Sequence, residues 1–457
     1  VSLARLIGLA AIVGMMWFLV RDVPPTFTAP GAAATLAFGF MILAAYLLAG
    51  LLKRLRLPLI TGYIITGVVC GPSMLGLLSR SVVQDLRLVD DLALTFIALA
   101  AGGELRLGML RQRRRSIVLT LVCLVGVVLF GVPLALLPLR AAFPYTAGLA
   151  LGPSLGVLAI AGALAVARSP SSAIAIISET KARGPFTEMV LGVTVAADVL
   201  AILVFAIAVS IAEVLITPGK TLNLLFLGNI ALEVVVSLLL GLLLGKGIAL
   251  YLERVRTELT IFTLGVAFLV ARLCHGLGAL LETHLDVRCH LEPMMICMAA
   301  GFVVQNFSKG GDGFLKVIDR SSLPIYTIFF AMSGAGLQLE ALRTTWHWAL
   351  AMVALRACFI YTGCSLGGWL ARDPRPFRRA SGISFITQAG VSLGLVKVIM
   401  DKFPGFGPAF ATLLVATIAI NQILGPIGFK VALSYVGETR EARIGAGARS
   451  RAVSGEG

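Results

Sequence analysis

The stretch that decides the fold reads Phe186-Thr187-Glu188-Met189-Val190-Leu191-Gly192-Val193-Thr194-Val195-Ala196-Ala197-Asp198-Val199-Leu200-Ala201-Ile202 and continues apolar to Ala212. It is long enough to cross a bilayer as one helix. Asp198 lies about 12 residues along it, ~18 Å at 1.5 Å per residue, and so near the middle of the membrane. A carboxylate at that depth is costly, and such residues face an ion path or a partner rather than lipid. Desolvation penalises the charge, and either a proton or a bound cation offsets the penalty. The plainer reading is a carboxylate paired permanently with a basic residue in a helix interface.

The rest of the chain has the same character. Its 457 residues are 58% hydrophobic and 13% charged, with a mean hydropathy of +0.96. These values exclude a soluble globular chain and a disordered one, and leave a polytopic membrane protein in contact with lipid. The formal net charge of +15 could suggest a nucleic-acid partner. However, the Lys and Arg residues fall in short loops between apolar runs, which is how basic charge sets membrane topology, so no nucleic acid is expected. The seven cysteines are scattered with no CxxC pair and the four histidines form no metal spacing, so the cysteines read as small core residues. No nucleophile–base set stands out, so neither an enzyme nor a cofactor is expected.

Apolar spans fall near 3–20, 32–52, 59–78, 88–103, 116–139, 147–179, 186–212, 227–251, 259–281, 291–306, 322–338, 344–371, 380–400 and 407–433. The expected fold is therefore all-α and polytopic, with about 13–14 transmembrane helices. The first span also fits a signal peptide, because Arg5 precedes an apolar run. Arg21-Asp22 follows directly with no small-residue cleavage site, so it is kept as an extra N-terminal helix and loop over 1–31. About two dozen basic residues fall in the loops on one side and about eight on the other, which makes the first side cytoplasmic and places both termini there. That side includes Arg111 to Arg115, Lys181-Ala182-Arg183 and the tail with Arg440 and Arg443. The tail, 434–457, is polar and rich in Gly, Ala and Arg, and reads as short, cytoplasmic and disordered.

Three further polar features lie at similar depth. Arg168-Ser169-Pro170-Ser171-Ser172 interrupts an apolar span. Pro170 removes a backbone donor there, and the flanking serines and arginine favour an unwound segment lined by protein or water over a simple proline kink. Ile383-Ser384-Phe385-Ile386-Thr387-Gln388-Ala389-Gly390-Val391-Ser392-Leu393-Gly394 places polar side chains and glycines in mid-span. It reads either as a second interruption or as a small-residue packing face. Arg356 lies about 12 residues into its span and cannot release its proton, so it is a fixed counter-charge or a structural anchor. Arg168 and Glu179 are expected to form a supporting ion pair.

Position relates these features. Counted from Ala32, the first interruption is in the fifth helix and Asp198 in the sixth. A linker helix over 227–251 follows, and then a second set of six in which the fifth, 380–400, holds the second interruption. The domain reading is repeat one over 32–212, the linker, and repeat two over 259–433 in inverted orientation. Paired interrupted helices of this kind mark a transporter site at a repeat interface.

In this order the motifs resemble the monovalent cation:proton antiporter superfamily, particularly its Kef-type and bacterial sodium/proton exchanger branches. The residues that carry the resemblance are Leu59-Ile60-Thr61-Gly62-Tyr63-Ile64-Ile65-Thr66-Gly67 with Gly71-Pro72 and Leu75-Gly76, Ala101-Gly102-Gly103-Glu104-Leu105, Ser169-Pro170, the lone Asp198, and Ile386 to Leu395. The resemblance covers about 32–433. It implies a homodimer, a dimerisation domain, and a mobile core in which two interrupted helices cross near an essential aspartate. Asp198 matches that aspartate, and Arg356 matches the basic residue opposite the crossing. The residue before the aspartate departs from the family, which usually carries Asp, Asn or Gln where this chain has Ala197. A single carboxylate favours electroneutral exchange. A nucleotide-binding regulatory domain of the Kef kind is not expected unless a separate subunit supplies it.

The expected protein is thus an antiporter of H⁺ against Na⁺ or K⁺ in a bacterial-type inner membrane, working by alternating access. Oxygen ligands suit such a hard cation, and Asp198, Ser169, Ser172, Thr387 and Gln388 are the candidates, with backbone carbonyls freed at the breaks. The alternatives are a gated K⁺ efflux pathway and a non-transporting sensor. No carbonyl-ring filter of the TVGYG kind favours the first, and no output domain favours the second.

Overall fold

The computed structural model describes residues 2–22, 32–55, 57–217, 224–255, 258–285, 291–388 and 390–444. The loop at 23–31, Ala389 and tail residues 445–457 lie outside the described residues. All regular structure among those described is helical. In chain order the helices are α1 (Ser2–Asp22), α2 (Ala32–Leu52), α3 (Leu59–Cys70), α4 (Arg80–Asp85), α5 (Arg87–Glu104), α6 (Leu107–Leu136), α7 (Leu151–Val166), α8 (Pro170–Thr180) and α9 (Pro185–Ile216). They continue as α10 (Leu224–Arg254), α11 (Leu259–Leu285), α12 (Pro293–Phe307), α13 (Gly311–Ala335), α14 (Leu339–Ala371), α15 (Arg375–Ser384), α16 (Gly390–Lys402) and α17 (Gly407–Tyr435).

By length and composition, seven described helical segments can cross a membrane: Ala32–Leu55, Leu107–Leu139, Leu151–Thr180, Pro185–Ile216, Leu227–Arg254, Leu339–Ala371 and Gly407–Ile444. Ala4–Leu19, Leu59–Cys70, Leu259–Cys274 and Pro293–Phe307 are shorter apolar helices. The rest of the expected spans fall short for local reasons. Helix α5 opens on Arg87, Asp90 and Asp91, and α13 carries Asp312, Lys316, Asp319 and Arg320 in its first half. The span near 380–400 is divided into α15 and α16.

The helices sort into two compact units that interleave along the chain. Unit 1 comprises Val1–Glu104 and Ser237–Glu340, and unit 2 comprises Leu105–Val236 and Ala341–Gly457. Each unit therefore draws on an earlier and a later segment of the chain.

Unit 1 is organised by two helix crossings. At the first, α3 meets α13, with Gly67 against the Ala331 carbonyl and Gly334 against the Ile64 carbonyl. At the second, α5 meets α12, with Gly102 against the Met298 carbonyl and Gly301 against the Leu99 carbonyl. In all four helices the approached carbonyl lies three residues before that helix's own glycine. A Cβ at any of these glycines would overlap the facing backbone, so only glycine permits the approach. The two crossings share this reciprocal spacing. Thr95 Oγ1 donates to the Ala267 carbonyl at 2.9 Å and ties α11 to α5.

Unit 2 packs α6, α7 and α9 together, and α15, α16 and α8 against α17. Five charged residues are buried among those described, namely Arg168, Asp198, Glu213, Arg356 and Glu438, and all five belong to unit 2. Such residues are expensive in a membrane protein and identify the unit in which to look for chemistry.

Candidate ion-binding site

Helix α7 stops at Val166 because the next residues turn extended, Ala167 at ψ 142° and Ser169 at φ −117°, ψ 99°. Pro170 then opens α8 at a position where no backbone donor is needed. Ser169 caps α8 by accepting from the Ser172 amide at 3.2 Å. Its hydroxyl also pairs with those of Ser171 at 3.0 Å and Ser172 at 2.9 Å. The first interruption is therefore a built break with its own cap, as the Arg-Ser-Pro-Ser-Ser pattern suggests. The second lies at 385–388, between the end of α15 and the start of α16.

Two guanidinium groups and one amide join the breaks. Arg356, midway along α14, donates from Nε to the Ala165 carbonyl at 2.9 Å, from Nη2 to Ala167 at 3.0 Å and from Nη1 to Ile386 at 2.6 Å. Arg168 Nη1 donates to the Phe385 carbonyl at 2.7 Å, and its guanidinium lies over the Phe385 ring. Gln388 Nε2 donates to the Leu164 carbonyl at 3.1 Å, and its Oε1 accepts from Asn421 Nδ2 at 2.8 Å. The carbonyls at the C-terminal ends of α7 and α15 carry negative partial charge, and Leu164 among them also accepts from the Ala167 amide at 3.1 Å. Fixed protein cations and an amide occupy them here. The sequence reading offers these freed carbonyls to a transported cation. In the structure four of them, Ala165, Ala167, Phe385 and Ile386, already accept from arginine side chains, and Leu164 accepts from Gln388.

Asp198 is 6% exposed and lies mid-way along α9. Two sets of contacts fix its level. Gly152 of α7 faces the Leu215 carbonyl of α9 and Gly156 faces Ala212, so these helices run antiparallel. With equal rise, about 14 residues along each brings the Ser169–Pro170 break to the level of Asp198. The Phe186 ring at the start of α9 meets Phe377 at the start of α15, and Lys402 at the end of α16 bonds Glu213 near the end of α9 at 3.0 Å, so α9 runs parallel to α15 and α16. About 12 residues back along both helices reaches Gly390 and Ala201, within a turn of Asp198. The carboxylate thus sits at the depth of both breaks.

Ser169, Ser172, Thr387, Gln388, Arg356 and Asp198 are all buried in this one unit. Ser169 and Ser172 meet directly, whereas Gln388 is held by protein at both ends of its amide. The expected Arg168–Glu179 pair does not form. Arg168 bonds the Phe385 carbonyl, and Glu179 accepts from Lys430 Nζ at 3.3 Å. Arg168 and Glu179 flank opposite ends of α8, ~16 Å apart along a helix, too far for one ion pair. Sequence reasoning overlooked Asn421, which is fully buried and orients Gln388. The available signal was the Asn421-Gln422 amide pair in mid-span of an otherwise apolar run.

The tail also differs from its reading. To Ile444 it is ordered, and Glu438 and Thr439 are buried. Glu438 accepts from the Phe186 and Thr187 amides at 2.8 and 2.7 Å, supplying the carboxylate that the N-terminus of α9 favours.

A buried carboxylate level with two interrupted helices, in an all-helical chain with membrane-length spans, defines the class as an integral membrane transport protein. The comparisons give the family. The transmembrane sodium/hydrogen exchanger family matches residues 41–435. The chain belongs to that family, whose members are transporters and not enzymes. Over 183 residues it is 26% identical to the Na⁺/H⁺ antiporter NhaS5 of Synechocystis, a match covering 40% of this chain and 24% of that relative. The chain thus spans about a quarter of the length of this curated relative. Two structures of the sodium proton antiporter MjNhaP1 from Methanocaldococcus jannaschii share the fold. Their TM-scores are 0.62 and 0.67 at 17% identity, covering 88% of this chain and 95% and 96% of theirs.

Proposed function

We propose that the chain is a secondary transporter exchanging protons for a monovalent cation, Na⁺ or K⁺, with Asp198 as the group for which the two compete. The observation that carries this reading is the burial of Asp198 at the depth of the paired breaks, in the unit that holds every buried charge among the described residues. A carboxylate in such a place is stabilised either by a proton or by a cation, and a transporter needs that exclusive choice. Asp198 follows Ala197, so one carboxylate carries one charge and the exchange is electroneutral.

The break carbonyls are committed to Arg168, Arg356 and Gln388. The cation is therefore held by the Asp198 carboxylate with the hydroxyls of Ser169, Ser172 and Thr387, all hard donors, and Gln388, whose amide oxygen already accepts from Asn421, lends at most its second lone pair. Arg356 is the counter-charge that keeps the ends of α7 and α15 together while the site changes occupant. The unit carries the loaded site between the two faces of the membrane by alternating access. The exchanger domain runs over 32–433, as inverted repeats 32–212 and 259–433 about a linker at 227–251. The chain works as a homodimer in the inner membrane of a bacterial-type cell, with both termini cytoplasmic. The basic loops around Arg111 to Arg115 and Lys181 to Arg183 support that orientation.

The test is proton flux in proteoliposomes that enclose a pH dye, with Na⁺ or K⁺ added outside, for wild type and Asp198→Asn. Cation-driven pH change in the wild type, reduced to the protein-free background in the variant, is the expected result and names the ion. Cation flux without proton movement, or exchange that survives the substitution, overturns the proposal in favour of a channel-like pathway. The absence of any flux in the wild type overturns it in favour of a sensor.

A further inference from the structure

The loop between α8 and α9 and the stretch after α17 fold onto each other within unit 2. The Arg183 amide donates to the Glu438 carbonyl at 3.1 Å, and Arg443 Nη2 donates to the Lys181 carbonyl at 2.7 Å. Thr187 Oγ1 donates to Glu438 Oε2 at 2.7 Å, beside the two amides already bonded to that carboxylate. Both Glu438 oxygens are thereby spent on the start of α9. Alongside lies an open cleft lined by Lys181, Arg183, Arg440, Arg443 and Ile444, with no acidic residue in its lining. Arg440 and Arg443 are spaced three apart on one helical turn and so share a face.

Four cations brought into one cleft repel one another, and folding them together is costly unless an anion neutralises them. The fold nevertheless assembles them from two segments distant in the chain. Three are arginines, whose planar forks match phosphate oxygens in pairs. Ile444 adds an exposed apolar side chain at the rim. The cleft sits at the start of membrane-spanning α9, and so at a membrane surface.

We propose that this cleft binds a phosphate group, presented either by an anionic lipid headgroup or by a small soluble phosphate. The bound phosphate bridges Lys181 and Arg183 to Arg440 and Arg443, and so fastens the fold-back that places Glu438 at the start of the helix carrying Asp198.

The test is native mass spectrometry of the purified full chain titrated with phosphatidylglycerol, phosphatidylcholine or inorganic pyrophosphate. Wild type is compared with the double variant Arg183→Gln/Arg440→Gln. Neither replaced side chain hydrogen-bonds another described residue, and removing two of the four charges relieves their repulsion, so thermal stability without ligand should not fall. The expected result is roughly tenfold weaker binding of phosphatidylglycerol or of pyrophosphate in the variant, with phosphatidylcholine binding equal in both. Loss confined to phosphatidylglycerol makes the source a lipid, and loss with pyrophosphate makes it soluble. A wild type that neither prefers phosphatidylglycerol over phosphatidylcholine nor binds pyrophosphate overturns the proposal, as does a folded variant that binds like the wild type. Should the double variant misfold, the same comparison in Lys181→Gln decides, because that change leaves the carbonyl bonded by Arg443 in place.

Discussion

Two kinds of helix contact of very different make-up carry this molecule. In unit 1, α3 meets α13 and α5 meets α12 as unbroken helices, and glycine alone permits the approach. In unit 2, the chain breaks at 167–169 and at 385–388, and the freed backbone is satisfied by Arg168, Arg356 and Gln388. The glycine crossing brings backbone against backbone and buries no charged residue among those described. The broken crossing gathers buried polar side chains at one depth. Close packing is what the first needs, and charge balance is what the second needs.

Arg356→Ala tests the second requirement and should have the largest effect. It removes three hydrogen bonds from a buried cation and leaves carbonyls at two helix ends without donors, costing on the order of 3–5 kcal/mol. A large fall in thermal midpoint in detergent is expected, with exchange lost and only partly recovered in Arg356→Lys. A variant of wild-type stability that still exchanges would show that the breaks hold without the arginine, and the contrast between the two crossings would fail.

Gly67→Ala tests the first requirement. Its Cβ would overlap the Ala331 carbonyl, and overpacking of this kind costs about 1–3 kcal/mol. The midpoint should fall, while the cation concentration for half-maximal exchange in the surviving folded protein stays unchanged. A shift in that concentration would mean that the glycine crossing contributes to ion binding.

Ser169→Ala should have the smallest effect on stability, about 1 kcal/mol for a lost cap. It sharpens the comparison because Ser169 is also proposed as a cation ligand. Weaker apparent affinity for the cation, beyond what the small stability loss explains, is expected in stopped-flow dye measurements. An unchanged affinity would reduce Ser169 to a cap.

Much of the site was legible because its signals are local. A lone Asp198, a mid-span Arg356 and a proline flanked by serines are conspicuous in apolar sequence, and all are buried in one unit. Partners were less legible. Arg168 was assigned to Glu179 through nearness in the chain, yet its partner is the Phe385 carbonyl, 217 residues away. Asn421 passed unnoticed because an amide in an apolar helix gains meaning only once Gln388 is opposite it. The tail to Ile444 reads as disordered by composition, but the amides at the start of α9 give Glu438 a place to bind.

The sequence by itself determined that the chain is a helical membrane protein with polar interruptions in two spans and a carboxylate, Asp198, in the middle of a third. Hydropathy and helix-breaking residues act over a few neighbouring positions, and the bilayer admits few ways to satisfy a backbone. Only the tertiary structure decided which side chains close the breaks, that the carbonyls there are spent on arginines, and that the cationic cleft forms. Those outcomes depend on hydrogen bonds a few ångströms long between segments far apart in the chain, and no local pattern encodes them.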